Sequence, residues 1–101
     1  VSQSGAVAAA MIERAHAGGF GFSAVLSLGD MLDVDFGDCL DLLAAHAPTR
    51  AILLYVEAVT SARKFMSAAR AAARTKPVIV LKAGRHRAAA QAAATHTGAL
   101  A

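Results

Sequence analysis

Ile52-Leu53-Leu54-Tyr55-Val56-Glu57 is a short apolar run closed by an acid. Its length, its branched and leucine-rich character and the turn residues around it read as a strand buried in a parallel sheet. Residues 23–28 and 78–81 read the same way, so strands are predicted at 23–28, 51–56 and 78–81. Val1-Ser2 reads as the end of another. Helical patterns lie between them. Residues 6–17 are alanine-rich and stop at Gly18-Gly19, where glycine tolerates the left-handed turn that ends a helix. A second helix is predicted to start at Asp35, with Phe36, Cys39, Leu40, Leu42 and Leu43 inward, and to end before Pro48. In a third, Ala62, Phe65, Met66, Ala69, Ala72 and Ala73 form one face, and Arg63, Ser67, Arg70 and Arg74 form a solvated one. Strands alternating with helices imply an α/β fold, a three-layer doubly wound parallel sheet with strand order 2-1-3-4.

A chain of 101 residues, 56% hydrophobic and 17% charged, fits one domain with a modest core, taken as residues 1–101. From its ends, Val1-Ser2 and Gly98-Ala99-Leu100-Ala101, it is expected to be a piece of a longer multidomain polypeptide. No apolar run reaches the roughly 18 residues of a membrane span. The single cysteine, Cys39, in an apolar periodic segment reads as a buried reduced thiol, which points to the cytoplasm. A net charge of +3, one tyrosine and no tryptophan give nucleic-acid binding no support.

The strongest local motif is Val1-Ser2-Gln3-Ser4-Gly5-Ala6, a strand end running into a helix through small and hydroxylated residues. Free N–H groups at a helix start attract anions, and ligands gather at the carboxyl ends of parallel strands, so a phosphate suits this turn. Ser4 acting only as a helix cap explains the same residues. A Walker A loop is excluded by spacing, a hydrolase elbow by Ser2 where glycine is required, and the glycines of 19–24 follow a helix rather than a strand. Asp30, Asp33, Asp35, Asp38 and Asp41 lack the spacing of a calcium loop and read as caps and solvated positions. No metal site is expected. His16, His46 and His86 are assigned structural or surface roles. His96 lies between two threonines and before Gly98, after an alanine-rich stretch, 85–94, expected to form a short helix or ordered loop. Glu57 falls on the same rim as Ser2 and Ser4, where a carboxylate can fix the tautomer of an imidazole and leave its other nitrogen nucleophilic.

Taken together, Val1-Ser2-Gln3-Ser4-Gly5-Ala6, Ser27-Leu28-Gly29-Asp30, Asp33-Val34-Asp35-Phe36, Ile52 to Glu57, Lys76-Pro77-Val78-Ile79-Val80-Leu81-Lys82-Ala83-Gly84-Arg85 and Thr95-His96-Thr97-Gly98-Ala99-Leu100 resemble the NDP-forming acyl-CoA synthetases, relatives of succinyl-CoA ligase. The resemblance implies a flavodoxin-like domain carrying a phosphorylated histidine, His96. It implies that Glu57 orients that histidine, and that Ser2, Gln3, Ser4 and Gly5, with Thr97 and Gly98, hold its phosphate. The expected activity is an NDP-forming acid–CoA ligase, most simply an acetate–CoA ligase. Acyl-CoA and phosphate give an acyl phosphate, the histidine takes the phosphoryl group, and a loop carries it to a nucleotide. CoA, ATP or ADP and magnesium are expected on CoA-binding and ATP-grasp domains or subunits, with a small carboxylic acid as substrate and an oligomeric assembly. The stretch Leu28-Gly29-Asp30-Met31-Leu32-Asp33 is similar to the version fused to GNAT acetyltransferases in protein lysine acetyltransferases, where synthetases commonly have asparagine at position 30. The alternative is therefore an acyl-CoA-sensing regulatory domain beside a GNAT domain. Some such fusions lack the histidine; His96 is present here.

Overall fold

The computed structural model describes residues 1–29, 31 and 33–84. In chain order these form α1 (Gly5–Gly18), α2 (Phe36–Ala45), β1 (Ile52–Val56), α3 (Ala62–Ala73) and β2 (Val78–Lys82). β1 and β2 pair in parallel, Ile52 opposite Val78 and Val56 opposite Lys82. Ser2 bridges Tyr55 on one side and Ser27 on the other, both in parallel. The Ser2 N–H donates to Leu26 O at 2.9 Å, Leu28 N–H to Ser2 O at 2.9 Å, and Tyr55 N–H to Val1 O at 2.9 Å. The lateral order is thus the Ser27 segment, the Ser2 segment, β1 and β2, which is the predicted 2-1-3-4.

Side-chain alternation along β1 sends Ile52, Leu54 and Val56 into one core, where they meet Phe36, Leu40 and Leu43 of α2 and Ala68 and Ala72 of α3. Phe36 and Phe65 meet edge to face, centroids 6.1 Å apart, the arrangement that ring quadrupoles favour. Two lysines hold α2 at its ends. At its start, Asp35 and Asp38 form a reciprocal capping box, and Lys64 of α3 sits 3.1 Å from Asp35 and 2.8 Å from Asp38. At its end, Lys76 Nζ donates to Leu43 O and His46 O, each at 2.6 Å, where carbonyls lack helical partners.

α1 lies across the other face of the sheet. Its Val7, Ala8, Met11 and Ile12 border an apolar cavity of about 420 Å³ with Leu53 and Tyr55, the residues of β1 that point away from α2 and α3. Helices therefore flank the sheet on both sides, and the three-layer arrangement stands. None of the described helices is long and apolar enough to cross a membrane.

Three local expectations are corrected. Residues 23–28 do not form a full strand: among them Ser27 alone bridges, to Ser2. β2 is a strand but not a buried one, with Ile79 and Leu81 more than half exposed, since no described element covers them. The inward stripe of α3 is Phe65, Ala68, Ala69 and Ala72, and Met66 is exposed; likewise Leu42 of α2 projects outward beside Leu43. A helix turns about 100° per residue, so a neighbour of an inward residue leaves the stripe.

Candidate functional site

At the carboxyl rim of the sheet the Ser2 segment turns directly into α1. Ser2 Oγ donates to Ser4 O at 2.7 Å and accepts the Ser4 N–H at 3.0 Å, folding the turn back on itself. Ser4 then has extended backbone dihedrals and caps the helix, its Oγ accepting from Val7 N–H at 3.2 Å. Ser2, Gln3 and Ser4 are all buried. Beyond them, the N–H groups of Gly5 and Ala6 find no acceptor among the described residues. They open the positive end of a 14-residue helix toward an exposed surface. A Cβ at Gly5 would meet nothing within 4 Å, so no described neighbour demands glycine there.

Gln3 joins this turn to the end of β1. Its Oε1 accepts the Glu57 N–H at 2.6 Å and the Ala58 N–H at 2.9 Å. Two donors on one atom fix which end of the amide is oxygen. The consequence is that Nε2 faces elsewhere, buried and without an acceptor among the described residues. Glu57 is the complement. It is 1% exposed, and its Oε2 has no donor among the described residues. From the adjacent strand end, Lys82 Nζ donates to Glu57 O at 2.7 Å and to Ala83 O at 2.8 Å, pinning the backbone of this acid.

A carboxylate shut away from water without a partner is costly, as is an unmade bond on a buried amide. Among the described residues, one buried acceptor and one buried donor, on residues already bonded to each other, stand without partners at this rim. Ser2, Gln3, Ser4, Gly5 and Glu57, singled out from the sequence, come together here. His96, Thr97 and Gly98 lie outside the described residues, as do Asp30, His86 and the stretch 85–94. Sequence reasoning missed Lys82, whose only signal was a lysine at a strand end, and it missed that Gln3 grips Glu57.

The other polar candidates have local duties. His46 Nδ1 is 2.8 Å from Thr49 Oγ1 at the end of α2, and His16 is exposed in the last turn of α1. Asp35 and Asp38 are spent on the capping box and Lys64. Among the described residues no three His, Cys, Asp or Glu side chains cluster to hold a metal. Cys39 is buried and free.

A family model for the succinyl-CoA ligase like flavodoxin domain matches residues 1–101. The chain is 48% identical over 101 residues to the ADP-forming acetate–CoA ligase I of Archaeoglobus fulgidus, covering 100% of itself and 15% of that relative. It is 45% identical to the alpha subunit of the ADP-forming acetate–CoA ligase I of Pyrococcus furiosus, covering 100% of itself and 22% of that subunit. Its backbone matches an acetyl-coenzyme A synthetase of Ca. Korarchaeum cryptofilum, solved with phosphate and ADP, at a TM-score of 0.87 and 37% identity, over 99% of this chain and 22% of that one. The chain thus spans less than a quarter of the length of these relatives. From its first strand end to its last residue, it belongs to the succinyl-CoA ligase-like flavodoxin domain family.

Proposed function

We propose that this chain is the phosphohistidine-carrying domain of an ADP-forming acid–CoA ligase, with His96 as the carrier. The observation that supports it most is the buried Glu57 carboxylate, whose Oε2 has no donor among the described residues, beside a helix start whose Gly5 and Ala6 N–H groups have no acceptor among them. An imidazole supplied by His96 meets the first need, and a phosphoryl group on it meets the second. Its ring N–H satisfies Glu57, which fixes the tautomer and leaves the second nitrogen with its lone pair. That nitrogen attacks the phosphorus of an acyl phosphate, the bond from phosphorus to the acyl oxygen breaks, and the carboxylate leaves. The phosphoimidazole carries positive charge on its ring, which Glu57 stabilises, and a phosphoryl dianion, which the Gly5 and Ala6 N–H groups receive. Ser2 and Ser4 hold the turn in shape, and Thr97 and Gly98 flank the carrier.

The phosphoryl group then passes to ADP. We assign CoA and the nucleotide with magnesium to CoA-binding and ATP-grasp domains or subunits outside this chain. The relatives named above are acetate–CoA ligases, so acetate or another small acid is the proposed substrate. The buried, reduced Cys39 suits a cytoplasmic setting. The names of these relatives favour the ligase over a sensor domain beside a GNAT acetyltransferase. The test is turnover by the full-length protein, assayed as ATP formation from acyl-CoA, phosphate and ADP. His96→Asn abolishes it on this reading, and Glu57→Gln lowers kcat by about 100-fold, within the range of a lost general base or orienting partner. Retained turnover in His96→Asn removes the carrier role.

A further inference from the structure

Lys82 stands at this rim, and the transfer proposed above gives it no part. Its ammonium donates to Glu57 O at 2.7 Å and to Ala83 O at 2.8 Å. Along β1 the backbone bonds alternate between neighbours: the Tyr55 N–H donates to Val1 O and Tyr55 O accepts the Gln3 N–H, whereas Val56 O accepts the Ala83 N–H from the β2 side. Glu57 comes next on the side of the Ser2 segment. Its N–H keeps to that side, donating to Gln3 Oε1 at 2.6 Å, but its carbonyl turns the other way, to Lys82. The regular pattern therefore breaks at the peptide that joins Glu57 to Ala58. In a trans unit the C=O and N–H point in opposite directions. Here the N–H, on Ala58, donates to Gln3 Oε1 at 2.9 Å while the C=O accepts from Lys82, so one peptide plane is gripped from both neighbouring strand ends.

Turning that plane over would set the carbonyl against the Gln3 carboxamide oxygen and the N–H against an ammonium, which has no acceptor to offer. Two bonds would become two repulsions. With its N–H held on one side of Cα and its C=O on the other, Glu57 has a fixed backbone, and the bond that carries its buried carboxylate has a fixed direction. Lys82 is itself exposed, so water could serve its ammonium without the loss of side-chain freedom that these contacts require. We infer that Lys82 is a positioning residue for Glu57: by holding the Glu57–Ala58 peptide against Gln3, it sets where the carboxylate points. The inference rests on the part proposed above for that acid. Lys82 touches no reacting atom, and no proton or bond to phosphorus passes through it.

Lys82→Met keeps the apolar stem and removes the donor. In the full-length protein, ATP formation from acyl-CoA, phosphate and ADP is measured for Lys82→Met, for Glu57→Gln and for the double variant, with thermal unfolding of each. The expected result for Lys82→Met is a kcat lowered roughly 10- to 100-fold, the effect of a misplaced group near the chemistry. The KM values for phosphate, acyl-CoA and ADP stay at wild type. The double variant is no slower than Glu57→Gln alone, because a misaimed carboxylate and a missing one cost the same step. Lys82→Gln, polar but too short to reach the carbonyl, is the second variant and shows the same non-additive pattern, which a loss of folding alone would not produce. Losses that multiply in the double variant overturn the inference, and a raised KM for phosphate with kcat kept overturns it by placing the ammonium on the anion. A wild-type kcat in Lys82→Met beside a slow Glu57→Gln overturns it while the part of Glu57 stands. Glu57→Gln at the wild-type rate is the separate result that removes the part of the acid, and this inference with it.

Discussion

Gln3 and Glu57 stand 54 positions apart in the chain, yet the Gln3 carboxamide oxygen accepts the Glu57 N–H at 2.6 Å. That bond ties the start of α1 to the end of β1, the two elements whose ends form the candidate site. Replacing Gln3 with alanine strands two backbone donors, one on Glu57, which is almost fully buried. The expected loss of stability is about 1–3 kcal/mol, read by urea unfolding. A change below about 0.5 kcal/mol would mean that water replaces the amide at no cost.

Ser4→Ala separates capping from anion binding. Ser4 Oγ is already engaged by the Val7 N–H, so the hydroxyl belongs to the helix. Stability is expected to fall by about 1 kcal/mol, while protection of the domain by inorganic phosphate persists through the Gly5 and Ala6 N–H groups. Loss of that protection would place the hydroxyl on the anion instead.

Lys76→Met leaves the last carbonyls of α2 without a cation, at Leu43 and His46. A loss of about 1–3 kcal/mol is expected, with hydrogen exchange faster in the last turn of α2 than in β1. Uniform acceleration across both elements would mean that the lysine supports the whole fold rather than this helix end.

The Asp38 carboxyl is held below its ordinary 3.8 by its hydrogen bond to Lys64, and Lys64 is raised above its ordinary 10.5 by the same bond. The Asp38 contribution is complete above pH 3.8 and is lost as pH falls through the lowered value. The Lys64 contribution is complete below pH 10.5 and is lost as pH rises through the raised one. Both groups are well exposed, so the effect is small. Asp38→Asn is expected to flatten part of the acid limb of a stability–pH curve; an unchanged limb contradicts the assignment.

Much of this was legible because the physics is local. The short apolar run at residues 52–56, the Gly18-Gly19 stop and the Asp35 cap are short-range signals, and each appears where expected. The parallel sheet covered on both sides followed from the alternation of strands and helices and from crossover rules. What the sequence did not disclose depends on neighbours. Leu42 and Met66 are apolar by composition but lie off their helices' stripes, and Ile79 and Leu81 look like core until one sees that nothing described lies over them. At the site, Ser2, Ser4 and Glu57 were readable from a strand-to-helix turn and a strand-end acid. The grip of Gln3 on Glu57, and of Lys82 on its carbonyl, joins residues distant in sequence, and no local pattern announces such bonds.

The most direct measurement is the position of the acid-labile phosphate. The full-length protein is incubated with labelled ATP and magnesium, or with acyl-CoA and labelled phosphate, then digested under alkaline conditions and its labelled peptide sequenced. The predicted result is a single labelled peptide containing His96, absent from His96→Asn and slower to appear in Glu57→Gln. A labelled peptide that lacks His96, or full labelling of His96→Asn, would contradict the carrier role.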